Sequence, residues 1–224
     1  MTKLLRGVLV GFFVFAIGCE ATSILVEAVQ GPEKVEPKHV LADVPTLVMV
    51  EDPHHQLNNP GLARQVATTA THYLTFHEVL DEAVFIEPKK LVRLEAELGE
   101  KWSQTPIDEI GRLVGAEQVV YAKINYAKYH HAGTLYRPEA SIDVKVINAA
   151  DGKRIWPNAS PMSDPDSPQP GHEVKIKDRF VSSESRYVGD STTDDLARRL
   201  ADDAGLLIAR LFYQWQKDAP GSSL

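Results

Sequence analysis

Thr105-Pro-Ile-Asp-Glu-Ile-Gly-Arg-Leu-Val-Gly115, then Gln118-Val-Val-Tyr-Ala-Lys-Ile-Asn-Tyr126, then Ala140-Ser-Ile-Asp-Val-Lys-Val-Ile147, then Asp151-Gly-Lys-Arg-Ile-Trp156: these four pieces decide the fold. The first predicts a short helix stopped by Gly115. Its Thr-x-x-Asp opening resembles a capping box, with Ile107, Ile110 and Leu113 as the apolar edge. In the second piece Val120, Ala122, Ile124 and Tyr126 alternate with Tyr121, Lys123 and Asn125. In the third Ala140, Ile142, Val144 and Val146 alternate with Ser141, Asp143 and Lys145. Side chains on a strand point alternately to opposite faces, so this pattern predicts a sheet with one dry face and one wet face. His130-His-Ala-Gly133 joins the two strands as a hairpin. Asp151-Gly152 makes the next turn, and Pro157 ends the stub that follows it.

Upstream, Thr46-Leu-Val-Met-Val-Glu51 reads as a buried strand, closed by the loop Asp52-Pro-His-His55. Asn59-Pro60 opens a helix whose inward positions are Leu62, Val66, Ala70 and Tyr73. Ala83-Val-Phe-Ile86 reads as a second strand. Pro88 opens another helix, with Leu91, Leu94 and Leu98 inward and Gly99 as its stop. Trp102 fills the gap before Thr105. Downstream, residues 157–172 form a Pro-rich loop, and Val174, Ile176 and Phe180 mark an edge strand. The last helix has Asp194 and Asp195 near its N-terminus, where the helix dipole favours them. It carries the stripe Leu196, Leu200, Ala204, Leu207, Leu211 and Trp215, with Gly205 as a weak spot. Helices alternating with strands, followed by a meander, predict an α/β (α+β sandwich) domain over residues 46–216. Its sheet is mixed, with an antiparallel meander and helices packed over it. Residues 217–224 read as a disordered tail.

The N-terminus has a different logic. Met1 to Arg6 is short and basic, Gly7 to Ile17 is uninterruptedly apolar, and Gly18-Cys19 follows. That is a secretory signal by residue 18. Its ending, Ala16-Ile-Gly-Cys19, resembles a bacterial lipobox, in which a peptidase cuts before the cysteine and the cysteine carries diacylglycerol. Cys19 is the one cysteine of the chain, so no internal disulfide forms. An uncleaved anchor and an ordinary secretory signal are the alternatives. Glu20 interrupts the apolar run well short of the roughly 20 residues a spanning helix needs. Residues 19–45 read as a polar spacer holding the domain off the membrane. The expected address is the cell envelope, with the outer membrane favoured and the domain in the periplasm.

The 224 residues suit one medium domain with extensions, and 43% hydrophobic content is enough for a core. A net charge of −7 argues against a nucleic-acid partner, which needs clustered Lys and Arg.

A strand ending in an acid, a helix, a short strand, then a helix leading into Leu113-Val-Gly-Ala-Glu-Gln-Val-Val-Tyr121 is similar to the periplasmic α/β domains of the LpoB and CsgG lipoproteins. The TolB N-terminal domain has a related fold, of the anticodon-binding-like kind. Val144 to Trp156 carries the second part of the likeness, which covers roughly residues 46 to 216. The resemblance implies a non-enzymatic, lipid-anchored envelope protein that works through protein contacts. The 129–136 connection is too short for a membrane-crossing hairpin of the CsgG kind.

No catalytic or cofactor motif stands out. There is no Gly-x-Ser-x-Gly elbow and no phosphate-binding Gly loop. His72 and His77 lack the zinc-protease spacing. His54 and His55, beside Glu51 and Asp52, and His130 and His131 are the residues for a metal or small-molecule reading. Adjacent residues on a strand point to opposite faces, so neither pair chelates by itself. Tyr121, Tyr126 and Tyr129 read as packing residues. The reading is therefore an accessory or scaffold held to the membrane at Cys19 and bound to another envelope protein. The alternative is a metal- or small-molecule-binding module built on the histidine pairs.

Overall fold

The computed structural model describes residues 33–57, 59–132, 135–158, 170–177, 181–182 and 193–217; for 129–132, 135–137, 177, 181–182 and 193–194 it describes the backbone alone. The expected signal, Cys19, the spacer up to residue 32, most of the Pro-rich loop, Phe180 and the tail from 218 lie outside the described residues. The chain divides into two compact units, Pro37–Tyr213 and the pair of segments Met1–Glu36 with Gln214–Leu224. In the smaller one, β1 (Lys34–Val35) pairs antiparallel with β8 (Trp215–Gln216), and Lys217 Nζ lies 3.2 Å from Glu33 Oε2.

The larger unit is built on the expected hairpin. Strands β3 (Gln118–Ala132) and β4 (Leu135–Asn148) run antiparallel, with Val120 opposite Val146 and Ile124 opposite Ile142. A bulge between Ile124 and Tyr126 leaves Asn125 exposed. Strand β2 (Thr46–Glu51) lies parallel to β3, so the sheet is mixed, as the α/β reading requires. Strands β5 (Arg154–Trp156), β6 (His172–Lys177) and β7 (Val181–Ser182) all pair with β4 on its other side. The hairpin is longer than expected: His130 and His131 sit in β3, paired with Arg137 and Tyr136, and do not form a loop.

Helices cover both faces. Helix α1 (Pro60–Phe76) packs along α4 (Thr193–Ala209) over Val48, Val120 and Val146. Helices α2 (Pro88–Leu98) and α3 (Ile107–Val114) cover the opposite face, where Leu47, Met49, Val119, Tyr121 and Ile110 form one core cluster. The expected wet face is therefore dry from Gln118 to Ala122. It becomes wet only beyond α3, at Lys123 and Asn125. Periodicity missed this because Val119 and Tyr121 are as apolar as their neighbours.

Local chemistry explains the helix ends. Asn59 accepts from Gly61 N at 2.8 Å, with Pro60 at the first turn. Gly115 caps α3 in the left-handed region (φ 85°), and Ala116 N donates to Gly111 O at 2.8 Å. The capping box does not form: α3 starts after Pro106, and Thr105 Oγ1 donates back to Lys101 O. Leu113 is exposed, and Val114 is buried in its place. Leu74 takes the buried position expected of Tyr73.

Two further expectations are corrected. Ala83–Ile86 is not a strand: Glu82–Val84 is a 3₁₀ turn, and Ile86 N alone reaches Thr46 O, at 2.8 Å. Pro88 opens α2 too soon for a ladder to continue. The stripe to Trp215 is also cut short. Helix α4 stops at Ala209, where Phe212 N donates to Ala209 O. Leu211 O then accepts from Lys38 N and His39 N, so residues 37–45 pack on the domain and are not spacer. Leu41 is buried, and Ala42 O accepts from the buried Gln118 side chain at 2.7 Å.

Candidate functional site

Strand β2 ends the sheet. Beyond Thr46, no strand pairs with its outer side among the described residues. The two helix layers diverge around this edge, because α1 packs on one face of the sheet and α2 on the other. Between them lies a groove of about 560 Å³. Both parities of β2 line it, from Leu47 to Glu51, so its floor is the strand edge itself. Ala63 and Ala67 of α1 form one wall. Leu91 and Val92 of α2 form the other, with Ile86 and Trp102 behind.

Polar groups cluster at the C-terminal end of β2. Glu51 Oε2 accepts from the Tyr121 hydroxyl at 2.7 Å. Burial, then this hydrogen bond and the Glu51 charge, hold the Tyr121 hydroxyl protonated well above the usual tyrosine range. Asp52 accepts from Gln56 N and Leu57 N, each at 2.8 Å, and so holds the turn that carries His54 and His55. His55 lines the groove with φ 51°. Across the groove mouth, Arg64 of α1 meets Glu95 of α2 at 3.9 Å. Both side chains are about half exposed, so the pair is worth little and opens readily.

The histidine pairs do not converge. Glu51 lies beside Lys123, and His130 is seven residues further along β3, roughly 23 Å away at about 3.3 Å per residue. The carboxylates beside His54 and His55 are engaged by the Tyr121 hydroxyl and by the turn amides. Among the described residues, no group of three or more His, Cys, Asp or Glu is placed to hold a metal. His72 and His77 belong to an aromatic cluster in which the His77 ring stacks on Tyr213 at 3.9 Å. Tyr121 is a core residue, as expected of it.

Two histidines that the sequence reading passed over flank the buried Trp156. His39 stacks on it at 5.8 Å, and His172 lies 5.1 Å away. Burial lowers both below the usual histidine range, and Lys38 adds to the effect at His172. They are packing residues. The groove was also missed, since three elements distant in sequence build it. Its trace is that both flanking helices open on a proline, Pro60 and Pro88.

No family model and no curated protein matches the sequence. Solved structures similar to this chain include the PelC dodecamer from Paraburkholderia phytofirmans, at 11% identity and TM-score 0.38, covering 82% of this chain and 97% of that one. Lipoprotein GNA1162 from Neisseria meningitidis is similar at 12% identity and TM-score 0.41, with 74% and 98% covered. The LpoB C-terminal domain from Salmonella enterica is similar at 15% identity and TM-score 0.37, with 64% and 87% covered. No functional residue is carried over from these proteins. Among the described residues, no helix is long and apolar enough to cross a membrane.

Proposed function

We propose that this protein is a lipid-anchored accessory of the bacterial envelope. Residues 1–18 are its signal, and Cys19 carries the lipid. The domain that starts at Pro37 faces the periplasm from the outer membrane and acts without catalysis, by holding another envelope protein. The observation that carries this reading is the chain's one cysteine, placed directly after the apolar run and Gly18. A diacylglycerol thioether supplies two chains, and a single chain holds a protein only marginally. The open groove beside β2 supports the second half of the reading, because its floor is an unpaired strand edge between apolar walls.

The test is the mass of the N-terminal peptide after expression in a bacterium with two membranes, beside Cys19→Ala. A peptide that begins at Cys19 and carries acyl mass is expected, with the protein in the outer-membrane fraction. Cys19→Ala should release the domain from that fraction. An intact Met1 or an unmodified Cys19 would refute the anchor. Crosslinking in cells then asks whether the wild-type domain holds another envelope protein at the membrane.

A further inference from the structure

We infer that the outer edge of β2 binds an extended peptide of its partner by strand addition. The peptide has alternating apolar residues and a Lys or Arg at the end that meets Glu51 and Asp52. The argument begins with the backbone. Thr46 O points away from β3, because it accepts from Ile86 N on the outer side. Backbone groups alternate along a strand, so Val48 and Val50 turn their N–H and C=O to the same outer side. No strand, turn or side chain among the described residues takes those groups. Val48 is only 8% exposed and Val50 is half-buried, yet their edge groups open into the groove. Unpaired backbone polar groups beside apolar walls are costly to leave unmade, and a strand laid against them would satisfy both N–H and C=O.

The surroundings define the occupant. Phe85 already forms a single parallel bridge at Thr46, so the line of an added strand is set and then left unfilled. Small residues, Ala63 and Ala67, give the backbone room on the α1 side. Leu91, Val92 and Trp102 offer apolar contact to alternate side chains on the other. The Arg64–Glu95 pair cancels across the mouth and opens at little cost. Glu51 and Asp52 then leave the C-terminal end of the groove negative, which selects a basic residue there and disfavours an acidic one.

This inference rests on the accessory reading for its biological partner, but its test does not. The mature full-length chain, in detergent micelles, is panned against a displayed library of random heptapeptides. The expected outcome is enrichment of sequences alternating apolar and polar residues with Lys or Arg at one terminus. Binding of a selected synthetic peptide should slow hydrogen exchange at the Val48 and Val50 amides. Val50→Pro removes one outward donor, which an edge strand tolerates, and should weaken binding about ten-fold. Thr68→Trp fills the groove from the exposed side of α1 and should abolish binding, with the circular-dichroism spectrum and unfolding midpoint unchanged. If Val50→Pro fails to fold, Thr68→Trp decides. Absence of enrichment, equal binding to Thr68→Trp, or unprotected Val48 and Val50 amides would overturn strand addition. Lipidation at Cys19 is read separately by mass, so the two readings fail independently.

Discussion

Replacing Gly205 by alanine should destabilise the domain, although helix propensity alone argues the reverse. Alanine is favoured over glycine in a helix interior by about 1 kcal/mol. In α4, however, a Cβ at position 205 would stand 2.6 Å from Thr69 Cβ and 2.8 Å from Val66 O. Ordinary contacts of that kind are about 3.5–4.0 Å, so α1 and α4 would have to part by about an ångström. The Val66 carbonyl is helix backbone and cannot swing aside. Parting the helices also stretches the bonds from Gln65 Nε2 (2.8 Å) and Thr69 Oγ1 (3.0 Å) to Asp202 Oδ1. Overpacking of a tight contact costs about 1–3 kcal/mol, which exceeds the propensity gain over most of that range. The expected net loss is about 1 kcal/mol at the middle of that range and about 2 kcal/mol at its top, or roughly 2–8 °C in midpoint for a domain of this size. Urea unfolding of the full-length chain, followed by circular dichroism, measures it. A Gly205→Ala protein as stable as the parent, with an unchanged denaturant slope, would refute the close crossing.

Tyr121→Phe removes the hydroxyl that Glu51 accepts, and should cost about 1 kcal/mol near neutral pH because Glu51 is half-buried and regains some water. The same hydroxyl stays protonated above its ordinary value of 10.0, so the folded state holds a proton that the unfolded chain releases. Stability should therefore fall as pH rises past about 10, and fall less in Tyr121→Phe; identical alkaline profiles would contradict the buried hydrogen bond. His39 and His172 are lowered from 6.5, so below that pH the unfolded chain binds the extra protons. Their contribution is intact above 6.5 and is lost as pH falls through their folded values. A double His39→Gln, His172→Gln protein should show a flatter acid limb in urea-midpoint scans from pH 7.5 to 5, and an unchanged limb would refute the assignment.

The repeated apolar positions of β3 and β4 and the Asn59, Gly99 and Gly115 helix signals were legible because each is written within a few neighbouring residues. Capping, turn formation and strand alternation are local, so one chain segment contains all the information they need. The mixed α/β class was legible too, because it follows from the order of such segments. Where a local rule had a tertiary rival, the rival won. Ala83–Ile86 had strand residues but met α2 too soon. Leu113 had helical spacing but faced outward while Val114 turned in. Gly205 looked weak by propensity and is where two helices touch.

Only the tertiary structure decided which strand ends the sheet, that α1 and α2 stand on opposite faces of β2, and that a groove opens between them. Strand order and helix placement are set by burial summed over residues far apart in sequence, as where α1 packs along α4 and Gln65 meets Asp202, 137 positions on. No window of sequence contains that sum. The chain alone states its fold class; the placement of Val48 and Val50 at an unpaired edge exists only once the layers have packed.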